Sequence, residues 1–252
     1  MLTWRRIVFP IIAATSLMWS TGRADAPDLA SECVVFLHGL ARTSRSMEKI
    51  ETAFAEQGYR TANVDYPSRM HRIEVLAPHA VQQGLETCRA GEASRIHFIT
   101  HSLGGILVRY YLDGNRIEEL GRVVMLAPPN QGSEVVDDYR DTPGYEQLNG
   151  PAGAQLGTDA NSIPLNLGPV DFPLGVVAGT STINPILSQS LPNPDDGKVS
   201  VANTRVDGMA DFLVVDVSHP FIMRSDTVIE QAQHFIAVGT FKHSAEALDA
   251  EH

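Results

Sequence analysis

In 252 residues the chain has only two cysteines, and none of its nine histidines falls in an H-E-x-x-H pattern. No zinc or other metal site is therefore argued, and no cofactor is implied. The only basic cluster is Arg5-Arg6, and 19 basic residues stand against 30 acidic ones for a net charge of −11. That balance excludes a phosphate-tracking surface, so nucleic acid is not an expected partner. The chain has no internal repeat, which removes solenoids and propellers. Its apolar run Ile7 to Trp19 is about 13 residues, well short of the roughly 20 that span a bilayer.

What is present starts at the N-terminus. Paired arginines, that short apolar run, and a small-residue stretch through Gly22 and Ala24 make a secretory signal peptide over residues 1–24, cleaved after Ala24. Export to a periplasmic or extracellular location is the expectation. An oxidising compartment would let Cys33 and Cys88 pair if the fold brings them together; two separate buried thiols are the alternative. Apolar residues make up 43% of the sequence and are spread evenly, so residues 25–252 are expected to form one domain.

Along that domain, strand and helix patterns alternate. Cys33 to Leu37 is a short continuous apolar run, the mark of a strand covered on both faces. Met47, Ile50 and Phe54 recur at helical spacing before Gly58, and Tyr59 to Tyr66 returns to strand character until Pro67. Ile73, Leu76, Ala77, Ala80, Val81, Leu85 and Cys88 fall on one helical face. A strand at Arg95 to Ile99, a helix from Ile106 to Leu112 and a strand from Gly121 to Ala127 follow. Short connections between alternating elements predict a parallel sheet with right-handed crossovers. From Gln131 to Phe172 no period is sustained, and a stretch of that length is expected to be a lid or cap. Pattern resumes at Leu174 to Ala178 and Phe212 to Val217, and a final helix runs from Asp226 to Val238.

Chemistry concentrates in three places. Thr100-His101-Ser102-Leu103-Gly104-Gly105 joins a strand to a helix, the setting of a nucleophile elbow, in which small neighbours allow close backbone approach and a serine hydroxyl stands clear. Thr100 occupies a position where the motif usually has glycine. His38-Gly39-Leu40 ends the first strand. Ser218-His219-Pro220 follows the last one, after Pro194-Asp195-Asp196-Gly197.

This order of motifs resembles the α/β-hydrolase superfamily, and within it the bacterial triacylglycerol lipases and related esterases, over roughly residues 32–240. The resemblance implies a three-layer α/β-hydrolase fold, with a mostly parallel central sheet flanked by helices and an irregular cap at about 131–172. It implies a serine, then an acid, then a histidine in chain order. Ser102 matches the nucleophile and His219 the base, while His234 and His243 sit in the final helix and the tail. Asp196, just before Gly197, matches the acid, and Asp195 remains the alternative. The backbone N–H groups of Leu40 and Leu103 match the oxyanion donors. His38 and His101 are read as packing groups that position their loops.

The expected function is an exported serine hydrolase acting on carboxylic esters, with small-molecule or lipid esters as substrates; a transient contact with a lipid surface and the oligomeric state stay open. Thioesterase or acyltransferase chemistry would use the same residues, and a non-catalytic binding protein on the same fold is the reading from another class. Ile163, Leu165, Leu167 and Phe172 in the cap are candidates to line an acyl pocket or, equally, to seal the core.

Overall fold

A computed structural model describes residues 28–243, so the signal peptide expected over 1–24 lies outside the described residues. In chain order the elements are β1 (Glu32–Leu37), α1 (Glu48–Glu56) preceded by a 3-10 turn at Ser44–Met47, β2 (Arg60–Val64), α2 (Ile73–Ala90), β3 (Arg95–His101), α3 (Leu103–Gly114) and β4 (Leu120–Leu126). Three short helices follow, α4 (Glu134–Tyr139), α5 (Tyr145–Ala154) and α6 (Ile163–Asn166). The chain then returns to β5 (Leu174–Ser181), α7 (Pro185–Ser188), α8 (Val201–Thr204), β6 (Asp211–Ser218) and α9 (Asp226–Val238).

The strands form one six-stranded sheet in the order β2-β1-β3-β4-β5-β6, and each neighbouring pair is parallel. The reason lies in the side chains of β1. Cys33, Val35 and Leu37 pack on one face with α2 and α3, while Val34 and Phe36 pack on the other with α1 and α9. A strand apolar on both faces must be covered twice, which gives three layers. Burying a side chain such as the fully enclosed Phe36 contributes roughly 2–3 kcal/mol. The connection from β1 moves outward to β2, then β3 returns to the other side of β1. With every crossover of one hand, that reversal puts α1 on the face opposite α2 and α3.

Cys33 in β1 and Cys88 near the end of α2 are joined by a disulfide across a separation of 55 residues, and both are buried. Among the described residues no helix is long and apolar enough to cross a membrane.

The segment 131–172 differs from the irregular stretch expected. Its three helices are four to ten residues long, too short for a periodicity to stand out, and α5 is broken where Gly150 takes φ +66° ahead of Pro151. Polar contacts hold it. The Asp137 carboxylate accepts from the Thr158 N–H and hydroxyl, Arg140 pairs with Asp159, and buried Arg109 of α3 donates to the carbonyls of Asn130, Leu167 and Gly168. Of the candidate acyl-pocket residues, Phe172 is buried in the core, Ile163 and Leu167 pack against it, and Leu165 faces solvent. Phe172, Ile163 and Leu167 seal the core, and none of the four lines the cavity described below.

Candidate active site

The reversal of strand order lies between β1 and β3, and a parallel sheet opens a crevice at the carboxyl ends of such a pair. His38-Gly39-Leu40 leaves β1 at that point and Ser102 leaves β3 beside it. Ser102 has φ +50° and ψ −118°, a conformation that costs a non-glycine residue on the order of 1–3 kcal/mol. Its surroundings enforce it. The Ser102 N–H donates to the Leu126 carbonyl at 2.9 Å, and α3 begins at the next residue. At Gly104 a Cβ would lie 2.6 Å from the Leu37 carbonyl oxygen, so only glycine allows this approach of helix to strand. Thr100 is accommodated fully buried, its hydroxyl 3.5 Å from the Val124 carbonyl.

Ser102, His219 and Asp196 are brought together. His219 Nε2 lies 3.1 Å from Ser102 Oγ, and His219 Nδ1 lies 2.8 Å from Asp196 Oδ2. The other Asp196 oxygen accepts from the N–H groups of Lys198 and Val199 at 3.0 and 2.9 Å. All three hydrogen bonds of the carboxylate are accepted, with Nδ1–H of His219 as one donor, which leaves Nε2 free to accept from the serine. The His219 N–H also donates to the Asp196 carbonyl at 3.0 Å, which ties the two loops at the main chain. Asp195, the alternative acid, points elsewhere: its carboxylate accepts from Ser188 Oγ at 2.6 Å and from the Gly197 N–H at 2.7 Å.

The flanking histidines have defined tasks. His101 is fully buried, its ring 4.8 Å from that of His219, and its Nε2–H donates to the His219 carbonyl at 3.1 Å. Burial first, then the neighbouring His219, holds its pKa well below the ordinary value, so it stays neutral. His38 stacks on Tyr66 at 4.0 Å, accepts from the Tyr66 N–H through Nε2 and donates from Nδ1 to the Gly39 carbonyl. Burial lowers its pKa as well. His97 and His101 do stand four residues apart, a spacing that pairs imidazoles on a helix. On β3 it separates them by about 13 Å. His97 instead meets Glu32 at the opposite end of the sheet. Among the described residues no group of three His, Cys, Asp or Glu is disposed to hold a metal.

Two supports were not legible in the sequence. Ser68 Oγ accepts from the Ala41 N–H at 3.1 Å and so anchors the loop that carries Leu40. Ser133 Oγ donates to the Lys198 carbonyl at 2.7 Å and anchors the loop that carries Asp196. Both are lone serines whose partners lie 27 and 65 residues away, and no local pattern marks such a pair. Leu40 borders the crevice and Leu103 is fully buried at the start of α3; among the described residues neither N–H has an acceptor.

Ser102 and His219 open into a cavity of about 440 Å³. Its apolar walls come from Leu40, Val135, Val136, Tyr145, Leu156 and Leu187, so α4, α5 and α7 cover the serine. Burial pushes the Tyr145 pKa up to about 12, which keeps its hydroxyl neutral.

Solved structures share this arrangement of strands and helices. Lipase BlEst2 of Bacillus licheniformis in its propeptide form superposes with a TM-score of 0.68 at 18% identity, over 88% of this chain and 53% of that one. An extracellular alpha/beta-hydrolase from a Paenibacillus species matches over 81% of this chain and 98% of that one, with a TM-score of 0.51 at 13% identity. The chain has the α/β-hydrolase fold. Phospholipase PlaB from Legionella pneumophila carries the same α/β-hydrolase architecture, with a TM-score of 0.62 at 20% identity over 82% of this chain and 58% of that one. The chain spans about half the length of the BlEst2 propeptide form. No family model matches the sequence, and no curated protein is significantly similar to it.

Proposed function

We propose that the protein is an exported serine hydrolase of carboxylic esters, built as one α/β-hydrolase unit over residues 25–252 with the segment 131–172 as its cap. The observation that carries this reading is the continuous relay from Ser102 Oγ through His219 to Asp196, opening into an apolar cavity.

In this reading His219 Nε2 takes the Ser102 proton as Oγ attacks the ester carbonyl. Asp196 orients the ring and stabilises the imidazolium. The N–H groups of Leu40 and Leu103 receive the negative oxygen of the tetrahedral intermediate. Collapse breaks the bond to the leaving oxygen, which takes the proton from His219 and departs as the alcohol. Water then attacks the acyl-serine, gives its proton to His219, and the acid leaves as Ser102 is reprotonated. The buried disulfide supports an oxidising compartment, as does the leader-like N-terminus.

Reaction with a fluorophosphonate probe tests the nucleophile. Labelling of the native chain, lost in Ser102→Ala, is expected; a native chain that fails to label and cleaves no p-nitrophenyl ester from acetate to palmitate would overturn the proposal.

A further inference from the structure

Apart from Asp196 and His219, the charged side chains that line the 440 Å³ cavity are cations, Arg42 and Lys198. This is unexpected in a chain of net charge −11. Arg42 stands on the loop after β1, two residues past Leu40, and Lys198 stands on the loop that carries Asp196, so the two line the cavity from different loops. Among the described residues neither side chain forms a salt bridge or hydrogen bond. The one carboxylate near Lys198, Asp196, is already taken by His219 and two main-chain N–H groups. Arg42 also borders a second hollow, which Asp65 and Arg69 share with it. In the cavity with the serine the two cations stand against one carboxylate, Asp196, which leaves a positive field at the mouth of the site.

We propose, on the ester-hydrolase reading above, that the preferred substrates are esters carrying a second, anionic group, a carboxylate or phosphate, held between Arg42 and Lys198 while Ser102 attacks the ester. The neutral walls take the carbon skeleton, and the two cations select against an uncharged ester of the same shape. Substrate charge thereby decides specificity, and the cavity volume limits how far apart ester and anion lie.

Matched pairs of esters test this. Monomethyl succinate against methyl butyrate places a carboxylate on the acyl side, and butyryloxyacetate against ethyl butyrate places one on the alcohol side. In at least one pair the anionic ester is expected to have a kcat/KM about tenfold higher, and that ratio should fall toward one in Arg42→Gln with Lys198→Gln, return in Arg42→Lys, and shrink as ionic strength rises. Both substitutions remove exposed side-chain charge and leave the main-chain bonds of Lys198 in place. A wild-type ratio at or below one in both pairs, or a ratio indifferent to the substitutions, overturns the proposal while leaving the hydrolase reading intact. Calorimetry with N-butylsuccinamate, an uncleaved amide bearing the carboxylate, against N-butylbutyramide separates the two claims. Charge-dependent binding without turnover of any ester would overturn the hydrolase reading and keep the anion site; no difference in binding would remove the site.

Discussion

Asp195 and Asp196 are consecutive residues whose carboxylates serve different partners, Asp196 at 2.8 Å from His219 Nδ1 and Asp195 at 2.6 Å from Ser188 Oγ. Asp195 is bridged to Ser200 in extended backbone, where successive side chains point to opposite sides, and Gly197 at φ +92° then turns the chain at a place where a side chain would meet Thr182. Asp196→Asn is expected to lose roughly 10³ to 10⁴ in kcat with little change in Tm, because an amide favours the wrong imidazole tautomer. Asp195→Asn should do the reverse, retaining most turnover while losing about 1–3 kcal/mol of stability from two charge-assisted hydrogen bonds. Steady-state kinetics alongside urea unfolding of both variants separates the roles.

Ser102→Ala and His219→Ala should each reduce ester turnover to a similar residual rate, and the double variant should be scarcely slower. Groups joined by one proton path fail together. Multiplicative losses in the double variant would place His219 outside the reaction.

The elbow gives a paired test on glycine. Gly104→Ala would push a Cβ to 2.6 Å from a main-chain oxygen of β1, which has no room to withdraw, and should cost about 1–3 kcal/mol together with activity. Gly114→Ala, at the far end of the same helix with open space around it, should be neutral or stabilising by about 0.5 kcal/mol. Equal effects in the two variants would argue against the close packing of α3 on β1.

Removing the disulfide by Cys33→Ala with Cys88→Ala should lower stability by about 4 kcal/mol in the chain-entropy picture, since the bond closes a 55-residue separation. Denaturant unfolding of the variant, compared with the intact protein, measures this directly. A loss below 1 kcal/mol would show that the unfolded chain is not constrained by the link.

Stability should also depend on pH through the buried histidines. In the unfolded chain imidazole titrates near 6.5, whereas burial holds His38 and His101 below that value in the fold. Their contribution is complete above about pH 6.5 and declines as pH falls, because the unfolded chain binds protons that the native one refuses. The urea midpoint should therefore drop between pH 7 and 5.5, before most carboxylates titrate, and the drop should be smaller in His101→Asn. A flat midpoint across that window would contradict the expectation.

The sequence by itself determined the alternation of layers and the nucleophile position, because both are local. Cys33 to Leu37 is apolar at every position and so must be covered on two faces, and Thr100 to Gly105 carries its turn in consecutive residues. Only the tertiary structure decided which carboxylate meets His219, since two adjacent aspartates face opposite ways and their residue types do not encode which one faces the histidine. The same holds for the cavity walls. Helices α4 to α6 are too short to display a period, and their placement rests on long-range polar ties such as Arg109 to Leu167 and Ser133 to Lys198. A hydrogen bond between residues 58 or 65 positions apart is chosen by the folded geometry, where burial makes each polar group find a partner, and nothing in either residue's neighbourhood specifies which one.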